Sequence, residues 1–225
     1  LDFDTSNANS RALQDTLGVA NATIAADLIN WQRSERFGVG GVTALSRLGA
    51  VETSTPAVLR APGLPTWYPR ADEATRQKVD QFIADHSDRP TVVLMGSRDG
   101  AIHAVRNDPT DINNSANGTE AWAFIPAKVA SGFVSDRASG VVTSYPDGSP
   151  TVADVMLDDG EVHTLAIIAG GNGHKGVFAL DVTETIDEDT GAIVGPTPLW
   201  HTIPGGAAAG QALSKPAIAR VDIGG

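Results

Sequence analysis

Gly171-Asn172-Gly173-His174-Lys175-Gly176 has the G-x-G-x-x-G spacing of a dinucleotide-binding turn, and it follows the apolar run 165–169. In that fingerprint the third glycine opens a helix whose N-terminal N–H groups hold a pyrophosphate. Here Gly176 leads into Val177-Phe178-Ala179-Leu180-Asp181-Val182, mostly strand formers, and then into a polar stretch from Thr183 to Thr190. A Rossmann helix needs about ten residues of better helix formers. The segment therefore reads as the glycine-rich turn of a hairpin. The five histidines, His86, His103, His163, His174 and His201, form no H-E-x-x-H cluster. His103 occupies the strand position of Phe178 in a second copy of the same pattern, which predicts a packing role; His174 is expected at the surface; His86 reads as a helix-end residue. No G-x-S-x-G elbow occurs. Cysteine is absent, which excludes thiolate metal sites, cysteine nucleophiles and disulfides. Acyl transfer has no support without a base beside a nucleophile, so the expectation is a protein that is not an enzyme.

Composition narrows the partners. The net charge of −11 opposes nucleic-acid phosphates and anionic membranes. No apolar run reaches the roughly eighteen residues of a membrane span. The chain starts at Leu1 with a polar stretch and no signal peptide, the pattern expected of a mature product or an internal piece.

The elements that must position these residues change character along the chain. A short helix is predicted near Arg11–Leu17. A second runs over 22–35, with Ile24, Leu28 and Trp31 on one face and Gly38, Gly40 and Gly41 as its end. Pro56, Pro62, Pro65 and Pro69 predict extended, irregular chain with one short strand. Ala71–Ser87 reads as a helix, with Asp72 and Glu73 at its start and Val79, Phe82, Ile83 and His86 on one face. From Pro90 onward strands dominate and a repeat emerges. Gly96 matches Gly170, Gly100 matches Gly176, Ala104 matches Ala179, Trp122 matches Trp200 and Pro126 matches Pro204. The offsets run from 74 (Gly96 to Gly170) to 78 (Trp122 to Trp200). Between the copies, strands are expected at 140–145 and 151–157, with hairpin turns at Asp147-Gly148 and Asp159-Gly160. A further strand starts in 215–225. Trp122 and Trp200, at equal positions, are expected to pack in the core or between repeats.

Repeated β-meanders of this kind indicate propeller blades. The predicted fold is mainly β, a partial, quinoprotein-like β-propeller of antiparallel blades with two short helices in the N-terminal segment. Residues 1–89 form that N-terminal segment, packing on the propeller, and 90–225 form the first roughly three blades. A closed ring has about four to eight blades, and an open stack leaves sheet edges unpaired, so the chain is expected to be one section of a larger propeller.

Seven stretches then carry a resemblance: NWQRSE (30–35), RLGAVETSTPAVLRAP (47–62), RPTVVLMGSRDGAIHAV (89–105), EAWAFIP (120–126), DGSPTVADV (147–155), GGNGHKGVFALDVT (170–183) and LSKPAIARVD (213–222). Together they resemble the C-terminal β-propeller of the PilY/PilC-type tip adhesin and biogenesis proteins of type IV pili. The resemblance implies an exported protein at the cell surface or pilus tip, or associated with the outer membrane. It implies a role in pilus assembly, surface adhesion and twitching motility, with minor pilins or other pilus-tip proteins and a host or abiotic surface receptor as partners. The family's D-x-D-x-D-G calcium loop has its nearest match in Asp187-Glu188-Asp189-Thr190-Gly191. Calcium requires oxygen ligands at alternate positions of a tight loop. Asp187 and Asp189 have that spacing and are the metal-site candidates, Gly191 suits the turn, and the later bidentate acid is missing. Ca2+ is thus the one candidate cofactor, and the competing reading is a solvated acidic hairpin loop. The alternative function is a quinoprotein-like dehydrogenase propeller binding pyrroloquinoline quinone and calcium. Loops 107–119 and 183–197, long and polar between strands, are the candidate contact surfaces.

Overall fold

The computed structural model describes residues 5–35, 48–203, 206 and 210–219. Its frame is two four-stranded antiparallel sheets, each a meander in chain order. The first comprises β1 (Ala57–Leu59), β2 (Val92–Gly96), β3 (Ile102–Arg106) and β4 (Glu120–Phe124). The second comprises β5 (Pro150–Met156), β6 (Val162–Ala169), β7 (Val177–Asp181) and β8 (Thr197–Thr202). These are two consecutive propeller blades, and no closed ring forms among the described residues. The first blade takes β1 from the proline-rich stretch inside 1–89.

The sequence repeat survives at the level of register. Ala104 faces Leu94 and Trp122, and Ala179 faces Ile167 and Trp200. In both sheets the ladder slips just after that alanine, leaving Ala121 and Leu199 as the extra residue of a β-bulge. The glycine pairing shifts by one residue. Gly96 faces Ile102 and Ala169 faces Val177, so Ala169, not Gly170, is the counterpart of Gly96. The mismatch arises because the β6–β7 turn spans 170–176 while the β2–β3 turn spans only 97–101.

The blades meet over one apolar seam. Val92, Leu94, Ile102, Ala104 and Trp122 of the first pack on Ala166, Ile168, Phe178 and Leu180 of the second. Each buried Val, Leu, Ile or Phe among them contributes about 1.5–3 kcal/mol. Arg89, just before β2, crosses the same seam and is only 6% exposed. Its guanidinium donates to Arg60 O, Thr164 Oγ1 and Thr183 O; Thr164 Oγ1 in turn donates to Asp154 Oδ1 at 2.6 Å. Trp122 is buried at 6% in the seam, whereas Trp200, at the equivalent position, is 47% exposed on the outer face of the second blade. That corrects the expectation that both tryptophans are packed: the equivalent face of the second blade has no further sheet over it among the described residues.

Between the repeats the chain departs from expectation. Residues 140–145 are not a strand. Instead, two helices precede them, α4 (Ala127–Ala130) and α5 (Phe133–Ser139), and they join α1 (Arg11–Leu17) and α2 (Ala22–Asn30) in a second core. Leu13, Leu17, Leu28, Ile29, Val129 and Phe133 fill it. Ser10 and Asn21 cap the first two helices by accepting from Leu13 N and Ile24 N. Ile24, assigned to the apolar face, is 44% exposed, because Ala25, Leu28 and Ile29 face the core instead. A π-helical turn, Trp31–Glu35, continues α2. The glycines expected to end it, Gly38, Gly40 and Gly41, and Pro204, matched to Pro126, lie outside the described residues. Helix α3 (Glu73–Asp85), capped by Asp72, lays Val79 and Phe82 on Val162 of the second blade.

Asp147-Gly148 is not a hairpin turn. It lies in the buried lead into β5, where Asp147 accepts from Thr53 N and Oγ1. Gly148 is required there because a Cβ would sit 1.9 Å from Ala169 O. The strand openings reveal a further repeat, which strand periodicity does not flag: Thr55-Pro56-Ala57-Val58, Ser149-Pro150-Thr151-Val152 and Lys215-Pro216-Ala217-Ile218. The first two lie side by side, Thr55 N donating to Ser149 Oγ. The third lies against β5, with Thr151 Oγ1 donating to Pro216 O and Ile218 packed on Leu165, Ile167 and Ala179. Residues 215–219 join no ladder, and 220–225 lie outside the described residues.

Candidate functional site

The G-x-G-x-x-G stretch is the turn between β6 and β7, and no helix follows it. The pyrophosphate reading therefore has no helix N-terminus to rest on. Its histidine is not simply exposed. His174 is half-buried and meets His201 of β8, Nε2 to Nε2, at 2.8 Å. Burial lowers both: His174 falls to about 4, with further push from His201 and Lys128, and His201 falls through burial and Lys128. The pair is neutral at neutral pH.

His103 packs as expected but as an ion. It is 4% exposed, and its ring donates from Nε2 to Asp99 Oδ2 at 2.8 Å and from Nδ1 to Glu120 Oε2 at 2.5 Å. Burial alone would lower it, but hydrogen bonds and charge from Asp99 and Glu120 win and hold it up to about 9. Asp99 also accepts from Gly49 N, Ala101 N and Ser97 Oγ. Against the penalty of burial, His103 keeps its carboxyl below the usual range. With both ring nitrogens bonded to carboxylates, the imidazolium itself carries no lone pair. Its work is to lock the β2–β3 turn.

The same lock recurs. Asp99-Gly-Ala-Ile-His103 and Asp159-Gly-Glu-Val-His163 share the pattern D-G-x-(I/V)-H, each across a hairpin turn. His163 donates to Asp159 Oδ2 at 3.0 Å and Asp181 Oδ2 at 2.7 Å. The motif fits no metal-ligand or catalytic spacing, yet an Asp-Gly turn followed by histidine three residues later is legible twice in the sequence.

The two candidate contact loops differ. In loop 107–119, Asp108 Oδ1 accepts from Thr110 N, Thr110 Oγ1 and Asp111 N, and its Oδ2 accepts from Asn114 Nδ2. The hydrogen bonds from Thr110 and Asn114 bring Asp108 down to about 2. Asn117 ties the loop ends together through Asp108 N and Asp111 O. The result is a stiff excursion that leaves Ile112 89% exposed. Loop 183–197, by contrast, is anchored. Thr185 and Ile186 are buried, Ile186 bridges Ile193, and Glu188 meets His86 Nδ1 at the end of α3 at 2.9 Å. Within it, Asp187 and Asp189 stand on one tight turn with Gly191 at φ 70°. Asp187 Oδ1 accepts from Thr190 N and Oγ1, which lowers its proton affinity. Among the described residues no three His, Cys, Asp or Glu side chains gather to hold a metal.

Two consecutive meander blades whose charged groups are turned on one another define the class: a section of a β-propeller. Comparison with known proteins specifies it further. No protein-family model matches the chain. It is 30% identical over 236 residues to the type IV pilus biogenesis factor PilY1 homolog of Xylella fastidiosa, covering 96% of this chain and 17% of that protein. It is 29% identical over 184 residues to type IV pilus biogenesis factor PilY1 of Pseudomonas aeruginosa strain UCBPP-PA14, covering 79% of this chain and 14% of that one. The crystal structure of the Pseudomonas aeruginosa PilY1 C-terminal domain matches with a TM-score of 0.50 and 27% identity, over 73% of this chain and 29% of that chain. The chain belongs to the PilY1-type proteins. It spans only 14–17% of the length of these curated relatives. No described helix is long and apolar enough to cross a membrane.

Proposed function

We propose that this chain is a propeller section of a non-enzymatic type IV pilus biogenesis factor, exported to the cell surface and borne at the pilus tip. There it promotes pilus assembly, surface adhesion and twitching motility. The observation that carries the proposal is similarity to proteins named as pilus biogenesis factors along 96% of the chain. The geometry is in keeping with it: the buried charges of the turns are satisfied internally, as a scaffold needs, and a stiff loop presents a bare apolar side chain to solvent. Minor pilins or other tip proteins, and a host or abiotic surface, are the proposed partners, with loop 107–119 as the contact. The test is immunogold labelling of sheared, purified pili. Gold at filament tips is the expected result; protein absent from pili and confined to a soluble periplasmic fraction overturns it.

A calcium ion at Asp187 and Asp189 would have the tight turn at Gly191 in its favour and would have to displace Thr190 from Asp187. Calcium should then raise the melting temperature, and Asp187→Asn should abolish that rise. An unchanged melting temperature in millimolar calcium removes the site.

A further inference from the structure

The glycine-rich turn between β6 and β7 delivers a side chain as well as a change of direction. His174 stands on it, and its ring faces His201, with centroids 5.0 Å apart and planes inclined by 35°. Gly176 keeps the space between them. A Cβ there would lie 2.1 Å from His201 Nε2 and 2.7 Å from His174 Nε2. The turn is pinned on several sides: Gly170 N donates to Gly176 O, Gly171 N to Ala212 O, Tyr145 N to Gly173 O and Gln211 Nε2 to Asn172 O. His201 is set separately by its place opposite Phe178 in the β7–β8 ladder. Two elements thus bring two imidazole nitrogens to one point, each with little freedom to leave it.

Imidazole nitrogens bind late transition metals at about 2.0–2.1 Å. Two of them at right angles around one ion lie about 2.9 Å apart, and at a tetrahedral angle about 3.3 Å. The observed separation is 2.8 Å, in a hydrogen bond from one ring to the other. An ion enters as the donating ring moves its proton from Nε2 to Nδ1 and both rings turn to aim their Nε2 lone pairs at it. Among the described residues no third His, Cys, Asp or Glu joins the pair. A hard, oxygen-seeking cation such as calcium or magnesium has no reason to choose it.

We propose that His174 and His201 form a two-imidazole binding site for a divalent late transition cation of the copper, nickel and zinc group, with water filling the remaining positions. The cis separation favours copper or nickel over tetrahedral zinc. Lys128 of α4 is the charge that acts on both rings; it opposes a dication, and two ligands hold an ion less tightly than three. The glycine pattern that imitates a nucleotide fingerprint then has a different purpose, clearing room for two rings and an ion.

Isothermal titration of the whole chain with copper, nickel and zinc chlorides in a non-chelating buffer tests this. One ion per chain is expected, with copper tightest. His174→Ala and His201→Ala should each weaken binding at least ~10-fold, and Lys128→Gln should strengthen it about 3-fold. Absence of saturable binding below about 1 mM, or binding unchanged in both histidine variants, overturns the proposal. Should a variant lose its native circular dichroism, broadening of histidine ring resonances by substoichiometric copper in the unaltered chain decides the matter. Broadening of His174 and His201 first sustains the site, and broadening of His86 or His163 first sinks it.

Discussion

His103 keeps its proton because two carboxylates surround it, and that makes part of the fold's stability a function of pH. Its folded value of about 9 stands above the ordinary 6.5. The folded state therefore binds the proton more tightly, and the stabilisation is whole below about pH 6.5 and lost as pH rises through about 9. His163 is raised as well, in spite of burial, by Asp181 and Asp159, so its contribution has the same sign. His174 has the opposite sign. At about 4 it stays neutral while the unfolded chain takes up a proton, so its contribution fades as pH falls from about 6.5 toward 4. Urea midpoints between pH 5 and 9 should show both limbs. His103→Leu should lower stability by about 3 kcal/mol at neutral pH, since it leaves Asp99 buried without its counter-ion, and should flatten the alkaline limb alone. A variant that retains the full alkaline loss would show that His103 is not its source. The sequence made the turn around His103 legible but not the charge on its ring. Asp99 lies four residues away along the chain, whereas Glu120 arrives only when β4 pairs with β3.

At the level of elements, the seam between blades is the structural unit. Arg89 serves both sheets at once, and replacing it by Met leaves Arg60 O, Thr183 O and Thr164 Oγ1 without their donor. A loss of about 3 kcal/mol is expected by urea denaturation; a loss under about 1 kcal/mol would mean that water replaces the guanidinium. The two tryptophans provide a paired test. Trp122→Ala should cost about 3–5 kcal/mol because it empties a buried position. Trp200→Ala, on the half-exposed outer face, should cost less than about 1 kcal/mol in this chain. Equal costs would mean that the outer face is as well packed as the seam. The sequence placed both residues at the same strand position, and the register agrees. Their unequal burial depends on whether another sheet lies alongside, which no strand pattern records.

For the molecule as a whole, function is expected to reside in what the blades project. Replacing 109–113 by a short Gly-Ser turn, or Ile112 by Asp, should reduce surface attachment of piliated cells while the melting temperature of the chain stays within about 2 °C. A collapse of folding instead would make loop 107–119 structural, a role loop 183–197 already has through buried Ile186 and the contact of Glu188 with His86. Much of this architecture is readable from the chain alone. Alternating apolar residues, Asp-Gly turns and a period near 75 residues impose strands, hairpins and repetition locally, and backbone geometry leaves such a pattern few other outcomes. Helices α4 and α5 escape such a reading because they are short and hold their shape by packing against α1 and α2 rather than by propensity. The 140–145 run resembles a strand because β-branched residues prefer one, but Asp136 takes hold of Thr143 and Ser144 and keeps it off any ladder. The sequence by itself thus determined the blade, most of its hairpin turns and its family. The tertiary structure alone decided which charges meet, that His174 faces His201 and that Arg89 spans two sheets. Those pairings join residues 17 to 102 positions apart, and such contacts exist only once the strands have paired and the sheets have stacked.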